Sequence, residues 1–394
     1  MSLFAIISSI TSFPREKLPA RRKYIKPPPS SAPPSQRLLS LDALRGFTMF
    51  WLIGGRELAI AAAACVSVSL GDAVETQLTH PRWQGFVAWD TIMPMFLFLV
   101  GASMPFALGK RLQQGESTSS IYWRIARRVI LLWILGMIAQ KSLIKYQISG
   151  LELYSNALQA IAVGYLVTSI ALLHLPLAGQ IGLFAGLTLV YWALLAFVPF
   201  AGHPAGTLEQ TTNFPRYIDE LILGGFRRGH DFTWIVTSLG FSATVLLGAM
   251  SGHILRGRLS AARKLLLLAT VGLCCAAIGW LWSYSLPFNR HIWTPSMILW
   301  TGGLSFLLLA LFYAAIDIMG IKAWAFFFVV IGANALFAYV FDQVFQRTMS
   351  DTLVANLANQ LSEPYNYLLS AIGEVALLWL ILWYMYRNRT FLRA

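Results

Sequence analysis

Residues 80–111 read HPRWQGFVAWDTIMPMFLFLVGASMPFALGKR. No charged side chain occurs between Asp90 and Lys110. About 20 mainly apolar residues suffice for a helix to cross a hydrocarbon core about 30 Å thick. The stretch therefore predicts a membrane span over 84–109, with His80 and Pro81 at its entry, because proline suits the first helical turn. Working outward, nine further segments have the same character: 41–64, 126–146, 156–175, 179–200, 233–255, 264–285, 294–316, 323–346 and 366–386. The expected fold is all-α, a polytopic membrane protein of ten transmembrane helices. The longest break, 201–232, is too short for a soluble domain.

Composition agrees. The 394-residue chain is 57% hydrophobic and only 12% charged, with a mean hydropathy of +0.62. Soluble domains carry about 25% charged residues. Disordered and collagen-like chains are excluded as well. Three cysteines are too few for a disulfide framework, and no zinc-type spacing is present. The net charge of +13 sits in clusters between apolar segments. That is the pattern of cytoplasmic loops, and no nucleic-acid partner is expected. With the N-terminus inside, twenty Lys and Arg fall in inner segments and nine in outer ones. Both termini are thus expected to be cytoplasmic, in the plasma (inner) membrane. Residues 1–36 read as a basic, Pro-rich extension of poor order. Its apolar run precedes its positive charge, the reverse of a signal peptide. Residues 37–394 read as a single transmembrane domain.

Ionisable groups within spans are costly and point to function. Asp42 and Arg45 lie three apart and can share a helix turn; the pair reads either as structural or as a phosphate contact by Arg45. Glu57 stands near the outer end of the first span as a second carboxylate. His80 and Asp90 are ten residues apart, about 15 Å on a continuous helix, so a direct hydrogen bond requires an irregular start to the second span. His291 lies in an outer segment without an evident partner. Asn334 interrupts an apolar span, either as an oxyanion donor or as a hydrogen bond between helices.

Several runs together resemble the membrane acetyltransferase family of heparan-α-glucosaminide N-acetyltransferase, above all its bacterial relatives. They are RLLSLDALRGFTMFWLIGG from Arg37, HPRWQGFVAWDTIMPMFLFLVGASMPF from His80, NALQAIAVGYL from Asn156, TWIVTSLGFSATVLLGAMSGHILR from Thr233, LPFNRHIWTPSMILWTGGLS from Leu286 and FFFVVIGANALFAYV from Phe326. The resemblance implies an integral membrane enzyme that takes acetyl from cytoplasmic acetyl-CoA and delivers it to an amino sugar or glycan across the bilayer. It implies His80 as the active histidine and Asp90 as its carboxylate. Two departures stand out. The animal lysosomal enzyme carries an extra N-terminal luminal domain and span, with no counterpart expected here. Its Asn-Tyr-Gly run is replaced by Gly54–Gly55–Arg56–Glu57, which leaves the acceptor open.

On this reading His80 is a general base or an acetyl carrier, with Asp90 fixing its tautomer and Asn334 a catalytic donor. Trp83, Arg56 and Glu57 are the expected acceptor contacts. Arg45, Arg124, Arg127, Arg128 and Gln159 are expected to hold acetyl-CoA, the arginines through its phosphates. The basic loop between the second and third spans reads equally as positive-inside topology. Asn156 and Glu374 join Arg45 and Gln159 as expected lining of a passage between spans. No metal is expected; the partners are the bilayer and the acceptor, and a homodimer is allowed. The competing class is a secondary transporter or flippase with polar groups at the midplane and no acyl chemistry.

Overall fold

A helix that is apolar all round belongs either at the centre of a bundle or in lipid. The computed structural model describes residues 38–141, 143, 151–227, 231–353 and 358–392, and it contains both kinds. The expected extension 1–36 lies outside the described residues. The elements are α1 Leu39–Phe50, a π turn Trp51–Gly55, α2 Arg56–Val66, α3 Val68–Leu78, a 3-10 turn Ala88–Thr91, α4 Ile92–Gln113, α5 Thr118–Ala139, α6 Ala157–His174, α7 Leu177–Phe197, α8 Phe214–Leu223, α9 Ser238–Arg256, α10 Ala261–Ser283, α11 Pro295–Phe312, α12 Ala325–Ala333, α13 Ala335–Leu353 and α14 Tyr365–Arg387. The described residues hold two isolated β-bridges and no strand.

Eight helices among the described residues are long and apolar enough to cross a membrane. The pair α12 and Ala335–Phe345 passes the same test only jointly, as one broken span or a re-entrant loop, bent by 76° at Asn334, where φ is −127° and ψ is 35°. The remaining expected span, 126–146, corresponds to α5. This helix starts earlier than expected and carries Arg124, Arg127 and Arg128 in its first half, so it falls short of a uniformly apolar span. Part of 142–146 lies outside the described residues.

Burial sorts the helices. In α4, α9 and α11 most of the apolar window is buried, whereas α7, α10 and α14 each bury 22% of theirs. Leu189, Leu266, Leu281 and Leu380 are exposed on these outer helices, as lipid-facing side chains should be. At the centre α4 meets α9 through glycines. A Cβ on Gly101 would lie 1.8 Å from the Val245 carbonyl oxygen, and one on Gly248 would lie 2.0 Å from that of Phe98. Small residues allow such close approach where lipid supplies no hydrophobic drive between helices.

Contacts between loops and between charged side chains gather at two places. One joins the segments after α3, α8 and α10: Gly85 N donates to Phe288 O and Thr233 N to His291 O. The other gathers Arg45, bonded to Ser103 at 2.6 Å, and Arg256, bonded to the Pro105 carbonyl at 3.0 Å.

Candidate active site

The second span does not start at Pro81. Helix α3 stops at Leu78, Thr79–Val87 are irregular, and the span opens at Ala88 with a 3-10 turn. The reason lies in how the chain between is held. Arg56 Nε donates to Leu78 O at 2.7 Å and its Nη2 to Thr79 Oγ1 at 3.1 Å. Trp83 Nε1 donates to Leu208 O at 2.8 Å. Gly85 takes φ +121°, a conformation that glycine reaches without a Cβ clash, and its N–H reaches Phe288 O. Asp90 Oδ2 accepts from Val87 N at 3.0 Å. This folded-back loop supplies the irregular start that direct His80–Asp90 contact requires.

His80 Nδ1 lies 2.5 Å from Asp90 Oδ1, and the Asp90 side chain is fully buried. A carboxylate only accepts, so Nδ1 carries the hydrogen and Nε2 is left with its lone pair. Burial lowers the His80 pKa below 6.5; the Asp90 hydrogen bond opposes this and the Arg290 cation adds to it. The imidazole is therefore neutral near pH 7 and available as a base.

A cavity of about 230 Å³ opens beside this pair, lined by Trp89, Met93, Phe96, Leu158, Ile161, Phe232, Arg290, Tyr339 and Gln343 among others. A second cavity of about 410 Å³ is lined by Arg45, Phe96, Val100, Ser103, Arg111, Arg128, Leu158 and Ile161, with Phe391 and Leu392 at its edge. Phe96, Leu158 and Ile161 form walls of both. The first cavity ends at a histidine–carboxylate pair and the second at three arginines. Arg128 sits 4.4 Å over the Tyr165 ring, and its buried Nε has no hydrogen-bond partner among the described residues.

The remaining sequence candidates divide. Arg45 lines the basic cavity and also contacts Asp42 at 3.4 Å. Trp83 stacks on His291 at 5.2 Å, which gives that histidine the partner its sequence context did not show. Arg56 and Glu57 pair with each other at 3.1 Å. Arg56 thus braces the His80 loop, and Glu57 is not the orienting carboxylate.

Asn334 is not among the residues that line the His80 cavity. Its Nδ2 donates to Thr390 O and its Oδ1 accepts from Leu392 N, both at 3.1 Å, which ties the C-terminal segment to the edge of the basic cavity. Gln159 is fully buried, and its amide is spent on backbone: Oε1 accepts from Ser155 and Asn156, and Nε2 donates to Leu153 O. Asn156 caps the same helix and bonds Tyr339. None of Gln159, Asn156 and Glu374 is among the residues lining either cavity. Arg124 is more than half exposed and pairs with Glu116 at 3.5 Å; Arg127 is exposed. Neither lines the basic cavity, which uses Arg111 and Arg128 of the same charge cluster.

Arg290, Phe232, Tyr339 and Gln343 did not stand out as site residues in the sequence. Arg290 offered a signal, as a cation beside His291 in the run LPFNRHIWTPS. Its Nε lies 3.8 Å from Asp90 Oδ1.

No family model matches the chain. Two curated proteins are similar to it. The heparan-alpha-glucosaminide N-acetyltransferase of Homo sapiens is 25% identical over 80% of this chain and 54% of its own length. That of Mus musculus is 23% identical over 91% of this chain and 60% of its own length. The chain thus spans a little over half the length of the curated relatives it matches. With this similarity sustained along most of its length, the chain is distantly similar to the heparan-alpha-glucosaminide N-acetyltransferases.

Proposed function

We propose that the protein is a membrane-embedded acetyltransferase. It takes acetyl-CoA at the basic cavity and transfers the acetyl group to an amino-sugar or glycan acceptor at His80. The activity named for the two relatives suggests the acetyl group and the amine. The observation that carries the reading is a pair of cavities with Phe96, Leu158 and Ile161 as shared walls, one also lined by His80 and Asp90 and the other by Arg45, Arg111 and Arg128. The phosphates of CoA need cations, and Arg45, Arg111 and Arg128 line one cavity. The apolar walls suit an acyl-bearing arm, and polar cargo in a bilayer needs a protein-lined path.

An amine attacks a thioester only when deprotonated. His80 Nε2 takes that proton as general base, or attacks first and carries the acetyl group. In both routes Asp90 holds the tautomer and stabilises the imidazolium. The excess of Lys and Arg on the basic side supports a cytoplasmic position for Arg111 and Arg128, with His80 facing out and both termini inside. A multi-pass plasma-membrane protein follows on this reading.

The test is acetyl transfer from acetyl-CoA to glucosamine by the purified chain in lipid nanodiscs. His80→Ala lowers kcat by at least about 10²-fold while membrane insertion and thermal unfolding stay as in wild type. Full activity in His80→Ala removes His80 from the chemistry. Flux of glucosamine into liposomes without acetylation supports a transporter instead. A trapped acetyl-histidine, seen by mass spectrometry, selects the two-step route.

A further inference from the structure

Acyl transfer builds negative charge on the thioester oxygen, and that charge needs a donor held in place beforehand. With Asn334 tied to the C-terminal segment, the polar groups around the His80 cavity decide what supplies it. Asp90 only accepts. Tyr339 Oη donates to Asn156 Oδ1 at 3.4 Å, Gln343 Nε2 donates to Asp342 Oδ2 at 3.0 Å, and Trp293 Nε1 donates to Thr244 Oγ1 at 3.0 Å. Trp89 offers an uncharged indole beneath Arg56. Arg290 remains.

Its backbone is fixed by a loop closed on itself. Asn289 Oδ1 accepts from His291 N at 2.8 Å and from Ile292 N at 3.3 Å, Asn289 N donates to Thr294 Oγ1 at 3.2 Å, and Thr294 N donates to Asn289 O at 3.1 Å. The side chain is 18% exposed. The guanidinium lies 4.8 Å over the Phe232 ring, and Nη2 donates to His291 Nε2 at 3.2 Å. Nε makes no hydrogen bond among the described residues and stops 3.8 Å short of Asp90 Oδ1. Arg290 is thus a mostly buried cation, held by Phe232 and His291, that lines the same cavity as His80.

We propose that Arg290 is a catalytic residue, donating to the oxyanion that forms when the thioester carbonyl is attacked beside His80. The inference rests on the acetyltransferase reading above. In direct transfer the acceptor nitrogen bonds to the carbonyl carbon, the C=O π pair moves to oxygen, and His80 Nε2 takes the amine proton. The oxygen pair then re-forms the C=O bond, the C–S bond breaks, and the departing thiolate takes the proton from His80. If Nε2 attacks first, the same oxyanion forms twice, and the amine proton again ends on the thiolate.

Arg290 also acts on His80 at a distance. The charged and titratable groups facing His80 are Asp90 on its own loop, Arg56 on α2, and Arg290 and His291 on the loop before α11, with Asp231 beyond Arg290. Removing the Arg290 cation relieves part of the depression of the His80 pKa. The acid limb of the rate profile then moves to higher pH.

The experiment compares wild type, Arg290→Ala and Arg290→Lys as full chains in nanodiscs, with acetyl-CoA and glucosamine. Arg290→Ala is expected to lose about 10²–10³-fold in kcat, the usual effect of deleting one oxyanion donor. Its KM for acetyl-CoA stays close to wild type and its acid limb shifts upward. Arg290→Lys recovers part of kcat and the original limb. Guanidinium ion below denaturing concentration restores turnover to Arg290→Ala, which a misfolded variant would not show. If wild type turns over and Arg290→Ala, eluting as a folded species, retains kcat within about threefold, this inference alone fails. Low kcat with neither recovery in Arg290→Lys nor rescue by guanidinium assigns Arg290 a structural role and also overturns it. A wild type that acetylates no amino sugar removes the acetyltransferase reading, and this inference with it.

Discussion

The 2.5 Å contact of His80 Nδ1 with Asp90 Oδ1 decides which nitrogen can react. Asp90→Asn presents an amide that can turn its N–H toward Nδ1 and so favour the wrong tautomer. It is expected to lower kcat by about 10²–10⁴-fold with little effect on acetyl-CoA binding, read by turnover and by isothermal titration. The pH profile carries a second sign. A general base works when neutral, so activity is lost as pH falls through the His80 pKa, already below 6.5. The Asp90 hydrogen bond and charge both raise that pKa. Residual activity in Asp90→Asn should therefore persist to lower pH than in wild type, whereas Arg290→Ala shifts the limb the other way. A common direction for both variants would contradict this electrostatic account. Sequence made His80 and Asp90 legible because their spacing posed a question with one answer, an irregular loop. Arg290 was not legible, since its contact with Asp90 spans two hundred residues of chain and only the folded bundle creates it.

At the scale of helices, apolar length was the readable quantity. It located most spans to within a few residues but not α5, Thr118–Ala139 against the expected 126–146, and it failed where a local hydrogen-bond programme overrides hydropathy. Gly85 and Asp90 delay the second span, and Asn334 breaks the ninth, since its side chain serves the backbone of Thr390 and Leu392. Neither break alters composition. The close contact of α4 and α9 was also hidden, because glycine in an apolar run signals packing without naming the partner. Gly248→Leu tests that contact. A Cβ there meets Phe98 O at 2.0 Å, so the helices must separate at a cost of about 1–3 kcal/mol or more. A lower unfolding temperature in detergent is the expected result, together with loss of turnover, because α4 carries walls of both cavities. Gly182→Leu on lipid-facing α7, with open space around its Cβ, should leave both unchanged.

For the whole molecule, the distance between its two charged ends matters most. Asp90 and Arg111 are joined by α4, which at 1.5 Å per residue separates them by about 30 Å, the thickness of the hydrocarbon core. A soluble acyltransferase can let donor and acceptor meet in one cleft. On the proposed reading each end serves a different compartment, and a passage between the two cavities couples them. Phe96 is half-buried and lines both cavities, so added volume there narrows the proposed passage. Phe96→Trp is expected to keep acetyl-CoA bound at Arg45, Arg111 and Arg128 while lowering kcat by about 10²-fold, because a reacting carbon displaced by an ångström or so loses that much. Phe96→Ala leaves the passage open and should keep turnover. Vesicles of defined orientation give the matching test of direction: acetyl-CoA supplied on the basic side should label an amino sugar present only on the His80 side. If Phe96→Trp turned over like wild type, or if acetyl-CoA worked only from the His80 side, the donor would not be using the passage, and the two cavities would have to be separate features of the fold.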